Sequence, residues 1–223
     1  AVDSIRCAGI QDLSVDLIFG LPPALGRDWP DDLELAFALD PDHISLYGLT
    51  VEAHTPLGRW TGRGEVTPVD EETYAAEFLT ADHALTAHGF EHYEVSNAAK
   101  PGHRARHNSA YWRRAPFIGL GPSAHSGFAT ERRWNVREWA AYERVVGRGS
   151  PMEGRELLDD AAIALEDLYL SLRTSEGAPV NRVPPAVRLE WEQAGWAITG
   201  KDRIRLSPEG WLRLDGLVSS IKA

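Results

Sequence analysis

The chain has 223 residues, 43% of them apolar and 25% charged, the composition of a globular protein, which excludes intrinsic disorder for most of its length. Its longest apolar run, around Leu17 to Leu21, is far short of a membrane span; no charged-then-apolar leader opens it; and its one cysteine, Cys7, can form no internal disulfide and hold no zinc or iron–sulfur cluster alone. These features read as cytoplasmic, and a formal net charge of -10 argues against general binding to nucleic acid or anionic membranes.

Val2, Ile5 and Ala8 share one helical face, and Gly9 is placed to end that helix. Leu13 to Phe19 reads as a buried strand, followed by a turn at Gly20, Pro22, Pro23 and Gly26. A helix from Trp29 to Leu39, opened by Pro30 and two acids, leads through Asp40-Pro41-Asp42 to a second strand, His43 to Val51. Strand, helix and strand make a βαβ unit, hence a parallel pair, in a chain that reads as cut from a longer α/β protein with an exposed edge strand. Gly58, Gly62 and Gly64 suggest a loop before a long helix, Pro68 to His88. Phe90 to Val95 and Phe117 to Leu120 are strand-like, and Asn135 to Val146 is helical. Gly147, Gly149 and Pro151 form the best domain boundary, dividing 1–150 from 151–223. Beyond it come helices over Glu156–Arg173 and Pro184–Ala194, a hairpin with a turn at Gly200-Lys201-Asp202, and a helix over Pro208–Ile221, the pattern of a winged-helix-like module.

Between Glu94 and Glu131 there is no Asp or Glu, while the same stretch carries Lys100, Arg104, Arg106, Arg113, Arg114, His103, His107 and His125. Such a window is either reserved for an anion or offset by carboxylates elsewhere in the fold. At its centre, His107-Asn108-Ser109-Ala110-Tyr111-Trp112 joins an imidazole able to ligate iron to two aromatic faces, with guanidinium groups nearby that pair with carboxylates. That set matches a flat macrocycle with acidic side groups. Asp16, inside an apolar strand, and Thr50, near the end of the next, fall on the rim where parallel α/β folds bind ligands, though a structural aspartate would look the same. His88, His92 and Glu94 lack the spacing for a metal site, and Ser123 lacks the G-x-S-x-G turn of a hydrolase nucleophile.

Ser14–Pro22 (SVDLIFGLP), His43–Glu52 (HISLYGLTVE), Tyr93–Asn97 (YEVSN), His107–Trp112 (HNSAYW) and Gly119–Ser126 (GLGPSAHS) occur together and in order. On these segments the chain resembles the radical S-adenosylmethionine (SAM) family of HemW-type haem chaperones and oxygen-independent coproporphyrinogen III oxidases. The resemblance implies an α/β fold: the C-terminal part of a radical SAM (β/α) partial barrel, followed by a small winged-helix-like domain. HNSAYW matches a motif linked to haem binding in the chaperone branch, which places His107, Asn108, Tyr111 and Trp112 on a haem side, with His107 as the iron contact. Asp16 matches a SAM-contacting carboxylate at the end of a barrel strand, and Thr50 and His125 fall on the same SAM side. The family's Cys-x3-Cys-x2-Cys motif is not in this sequence, so the resemblance assigns SAM and the [4Fe–4S] cluster to a longer parent and expects this chain to be inactive alone. The function implied is haem binding and transfer, with haem or a porphyrin and a haem-accepting apoprotein as partners. Coproporphyrinogen oxidation is the alternative. A DNA-reading winged helix is the remote one, opposed by 11 acids against 8 Lys and Arg from Glu156 onward.

Overall fold

The computed structural model describes residues 1–221. Helix α1 (Val2–Cys7) precedes β1 (Ser14–Phe19), and α2 (Trp29–Phe37) returns the chain to β2 (His43–Gly48), which lies parallel to β1 with Asp16 beside Ser45 and Phe19 beside Gly48. The local causes are plain: the Asp28 carboxylate accepts from Asp31 N at the start of α2, and Pro30 sits in its first turn. The expected βαβ unit is present.

The glycines at 58 and 62 do not make a loop. Residues Pro56–Gly62 form α3, whose first turn is capped by the Thr55 hydroxyl. A Cβ on Gly58 would lie 2.0 Å from the Glu52 carbonyl oxygen, so this glycine serves a close approach rather than a turn. Asp70 caps α4 (Glu71–Ala87), and the chain then enters β3 (Glu91–Glu94) and β4 (Asn97–Ala99). This hairpin places β4 antiparallel between β2 and β3, giving the order β1-β2-β4-β3. Helices cover one face of the sheet, where Phe19, Ile44 and Leu46 pack with Trp29, Leu33, Phe78 and Leu85. Strand β1 is the edge strand expected but not a buried one: its burial alternates, and Ser14, Asp16 and Ile18 are exposed.

Helix α5 (Arg106–Trp112) holds the HNSAYW segment. A three-stranded antiparallel sheet follows, made of β5 (His125–Phe128), β6 (Glu131–Asn135) and β7 (Met152–Leu157), with α6 (Trp139–Val146) between β6 and β7. Here the expectations fail in detail. Asn135 ends a strand instead of opening a helix, because Glu131–Asn135 pairs on both sides and Glu138 caps the helix only from Trp139. Phe117–Leu120 makes one bridge, Phe117 with Gly127, and leaves Leu120 87% exposed. The turn at 147–151, expected as a domain boundary, joins α6 to β7 inside this sheet.

After β7, α7 (Asp160–Leu172) is capped by Asp159 and begins four residues later than expected, because Met152–Leu157 is strand. Strand β8 (Ala178–Pro179), α8 (Pro185–Gln193), β9 (Ala197–Thr199) and β10 (Arg203–Leu206) follow, in the sheet order β8-β10-β9. Helix, strand, helix and hairpin with the first strand pairing the last is winged-helix topology. The expected closing helix is two short ones, α9 (Pro208–Trp211) and α10 (Leu214–Ser220). One apolar cluster runs from Phe19 and Phe78 through Trp211 and Leu172 to Trp191 and Ile204, so this C-terminal group packs directly against the first sheet and its helices.

Candidate functional site

The face of the first sheet away from α2 and α4 is polar. Ser14 Oγ lies 3.0 Å from His43 Nδ1, and His43 Nε2 lies 2.9 Å from the Tyr93 hydroxyl. That hydroxyl also accepts from Ala105 N at 3.1 Å, so Ser14, His43, Tyr93 and the start of α5 are joined in one hydrogen-bonded chain. Burial holds the imidazole below its ordinary 6.5, against an opposing pull from Asp16, and burial likewise pushes the Tyr93 phenol up. A histidine depressed in this way adds stability above pH 6.5 that is lost as pH falls toward its folded value. The unfolding free energy of the wild type is therefore expected to drop faster than that of His43→Gln below pH 6.5, by up to about 1.4 kcal/mol per pH unit; urea titrations at pH 7.5 and 5.5 give the difference, and parallel curves would show that His43 is not protonated on unfolding.

Helix α5 sits on this floor. Tyr93 holds its N-cap residue, Ala105. At the other end the Trp112 ring lies under the Arg173 guanidinium, 4.4 Å from carbon to centroid. Arg173 in turn lies 3.1 Å from the wholly buried carboxylate of Glu94 through Nε, and its Nη2 donates to Ser96 Oγ at 3.1 Å. The other Glu94 oxygen accepts from Asn97 Nδ2. The outward side of α5 carries His107, exposed, with its ring edge-on to Tyr111 at 4.9 Å; Tyr111 is edge-on to Phe117 at 4.7 Å. Asn108 is half-buried on the same helix.

Tyr111, Trp112 and Phe117 line a hollow of about 360 Å³ with His125, Phe128 and Leu170. The structure thus brings Tyr111, Trp112 and His125 together, while His107 stands on the surface beside them. It does not gather the three residues assigned to the SAM side. Asp16 is the third residue of β1, exposed on an open groove, and not at the strand's end; Thr50 lines a different hollow of about 960 Å³ with Gly20 and Tyr74. Nor do His88, His92 and Glu94 meet: His88 stacks on Phe37, His92 pairs with Asp82 at 2.7 Å, and Glu94 faces Arg173. Cys7 is exposed on α1, and a lone thiol fits no [4Fe–4S] cluster.

The acid-free window is offset from elsewhere in the fold. Lys100 pairs with Asp40, His103 with Asp12, Arg104 with Glu91, Arg113 with Glu176, and Arg114 with Glu166 and Asp167. Among the described residues, Arg106 is the one arginine of the window without a carboxylate within 4.0 Å. Arg173 was invisible to sequence reasoning, since it lies 77 residues from its partner Ser96 and reads as the end of a helix.

No protein-family model matches the chain. It is 34% identical over 217 residues to the haem chaperone HemW of Mycobacterium tuberculosis, covering 96% of this chain and 56% of that protein. To HemW of Synechocystis it is 36% identical over 194 residues, 85% of this chain and 47% of the relative. The mitochondrial radical S-adenosyl methionine domain-containing protein 1 of Danio rerio is 31% identical, over 94% of this chain and 52% of its own length. The chain thus spans about half the length of the curated relatives it matches. The solved coproporphyrinogen III oxidase (HemN) of Escherichia coli, a radical SAM enzyme, superposes with a TM-score of 0.73 over 98% of this chain and 56% of that one, at 15% identity, which shows a shared fold.

Proposed function

We propose that the chain, which matches the haem chaperones named HemW over about half of their length, is of their kind, binds haem on the outward side of α5 and hands it to an apoprotein. The observation that carries this reading is the placement of His107: an exposed imidazole at the head of an aromatic row, beside the one unpaired arginine of the window. His107 supplies a ring nitrogen to the haem iron, Tyr111 and Phe117 offer apolar edges to the macrocycle, and Arg106 pairs with a propionate. The other arginines of the window are already committed to carboxylates. A ligand on the surface suits cargo that has to leave again, whereas a buried one would have to open. Haem-accepting apoproteins are the partners this implies. The same reading places the chain in the cytoplasm, where an exposed lone thiol such as Cys7 stays reduced. Among the described residues no helix is long and apolar enough to cross a membrane.

SAM goes with the names of two relatives; among the described residues Asp16, Thr50 and His125 line three different hollows, Cys7 offers one of the thiolates a [4Fe–4S] cluster needs, and no step of the reading runs through either group. Coproporphyrinogen oxidation has only a fold likeness at 15% identity behind it, and a shared fold assigns no activity; the relatives by sequence favour the chaperone. Haemin titration followed by its Soret band tests the proposal. Wild-type binding should saturate, and His107→Ala should weaken it about tenfold, the worth of one modest ligand interaction. Equal binding by the two proteins would remove His107 from the haem site.

A further inference from the structure

We infer that Tyr93, Glu94 and Ser96 of the YEVSN segment, acting with Arg173, are positioning residues that fix both ends of α5 and so aim His107 and Tyr111; the inference rests on the haem reading for what is aimed, but not for the clamp itself. One short stretch of chain reaches both ends of the helix. The Tyr93 hydroxyl takes the N–H of Ala105, one residue before the first turn. Its neighbours Glu94 and Ser96 hold the Arg173 guanidinium over the ring of Trp112, the last residue of the helix. Backbone bonds lock the two segments together, from Val95 N to Arg173 O at 3.1 Å and from Ser175 N to Tyr93 O at 2.9 Å.

The chemistry of this clamp is costly for mere cohesion. A wholly buried carboxylate paired with an arginine contributes little more than apolar side chains of the same size would, but it is directional, and so fixes one arrangement. Helix α5 needs such help. It has seven residues, no side-chain N-cap bond and no buried side chain, so its own turns would not hold it in place. Trp112, whose ring lies under Arg173, is therefore the anchor, while His107, five residues nearer the start of the helix, is left exposed with Tyr111 edge-on beside it.

Two mild variants test this. Tyr93→Phe removes only the hydroxyl, and Arg173→Lys keeps the charge beside Glu94 but loses the plane that stacks on Trp112. Amide hydrogen exchange of α5 should quicken about five- to tenfold in each, the worth of one hydrogen bond, with Ile44 and Leu46 in the sheet unchanged. Haemin binding, titrated beside wild type and His107→Ala, should weaken by a similar factor in both variants. Unchanged exchange in α5 overturns the inference. Quickened exchange with native haemin affinity, while His107→Ala binds weakly, overturns the aiming role and leaves the haem reading intact. If His107→Ala binds as wild type does, the haem reading fails and the exchange data alone decide whether the clamp exists. Should Arg173→Lys not fold, Tyr93→Phe carries the test.

Discussion

Replacing Arg173 by methionine is expected to lower the free energy of unfolding by about 3–5 kcal/mol, because it strands a buried carboxylate without its counter-charge. Glu94 is 0% exposed, and after the change it would keep only the Asn97 amide as a partner. The loss of the guanidinium from the Trp112 face adds to the cost. Urea unfolding followed by far-UV circular dichroism measures it. The double variant Glu94→Met, Arg173→Met should recover more than half of the loss, since a buried pair replaced by apolar side chains is often neutral. A single variant that loses less than about 1 kcal/mol would mean that Glu94 is carried uncharged or reached by water.

Trp211→Ala should cost a similar amount, about 3–5 kcal/mol for a large aromatic side chain removed from a core. Trp211 is 6% exposed, donates from Nε1 to the Leu172 carbonyl at 3.0 Å, and meets the edge of His92 at 4.8 Å. It joins α9 to α7 on one side and to the helix-covered face of the first sheet on the other. Because the apolar cluster is continuous across that contact, both parts should melt in one transition, in the wild type and in the variant alike. Trp211→Phe keeps most of the bulk but leaves the Leu172 carbonyl unpartnered, a loss of about 1–3 kcal/mol. Two separated transitions in wild type, with only the C-terminal one moved by Trp211→Ala, would show the two parts to be energetically independent.

The elements that periodicity or a cap announces were legible in the sequence: the βαβ unit with its Asp28 and Pro30 start, the long α4, and the hairpin closing on Gly200 to Asp202. Those misread depend on partners distant in the chain. Glu131–Asn135 is a strand because β5 and β7 flank it, and Gly58 lies in a helix because the Glu52 carbonyl needs the room. The same division holds at the site. HNSAYW was recognisable as a segment, and its helix carries His107 and Tyr111 on the outside. That Trp112 turns inward depends on Arg173, and that the basic window is largely neutralised depends on Asp40, Glu91, Glu166 and Glu176, of which only Glu91 lies near it in the sequence. Charge counted along a chain does not reveal which charges remain free once it folds.

The two flanks of the first sheet are unequal in a way that governs what can join it. The outer flank of β3 is occupied at its C-terminal end, where the Tyr93 carbonyl accepts from Ser175 N and Val95 N donates to the Arg173 carbonyl. Among the described residues no strand pairs with the outer flank of β1, where only the Ile18 carbonyl is taken, by Arg27 Nη1. An incoming extended segment would gain a ladder at β1 by displacing one side-chain bond, from Arg27 to the Ile18 carbonyl, whereas at β3 it would first have to peel away the end of α7 and, with it, the arginine that steadies Trp112. The sheet therefore has a single direction of growth, and that direction leads away from α5.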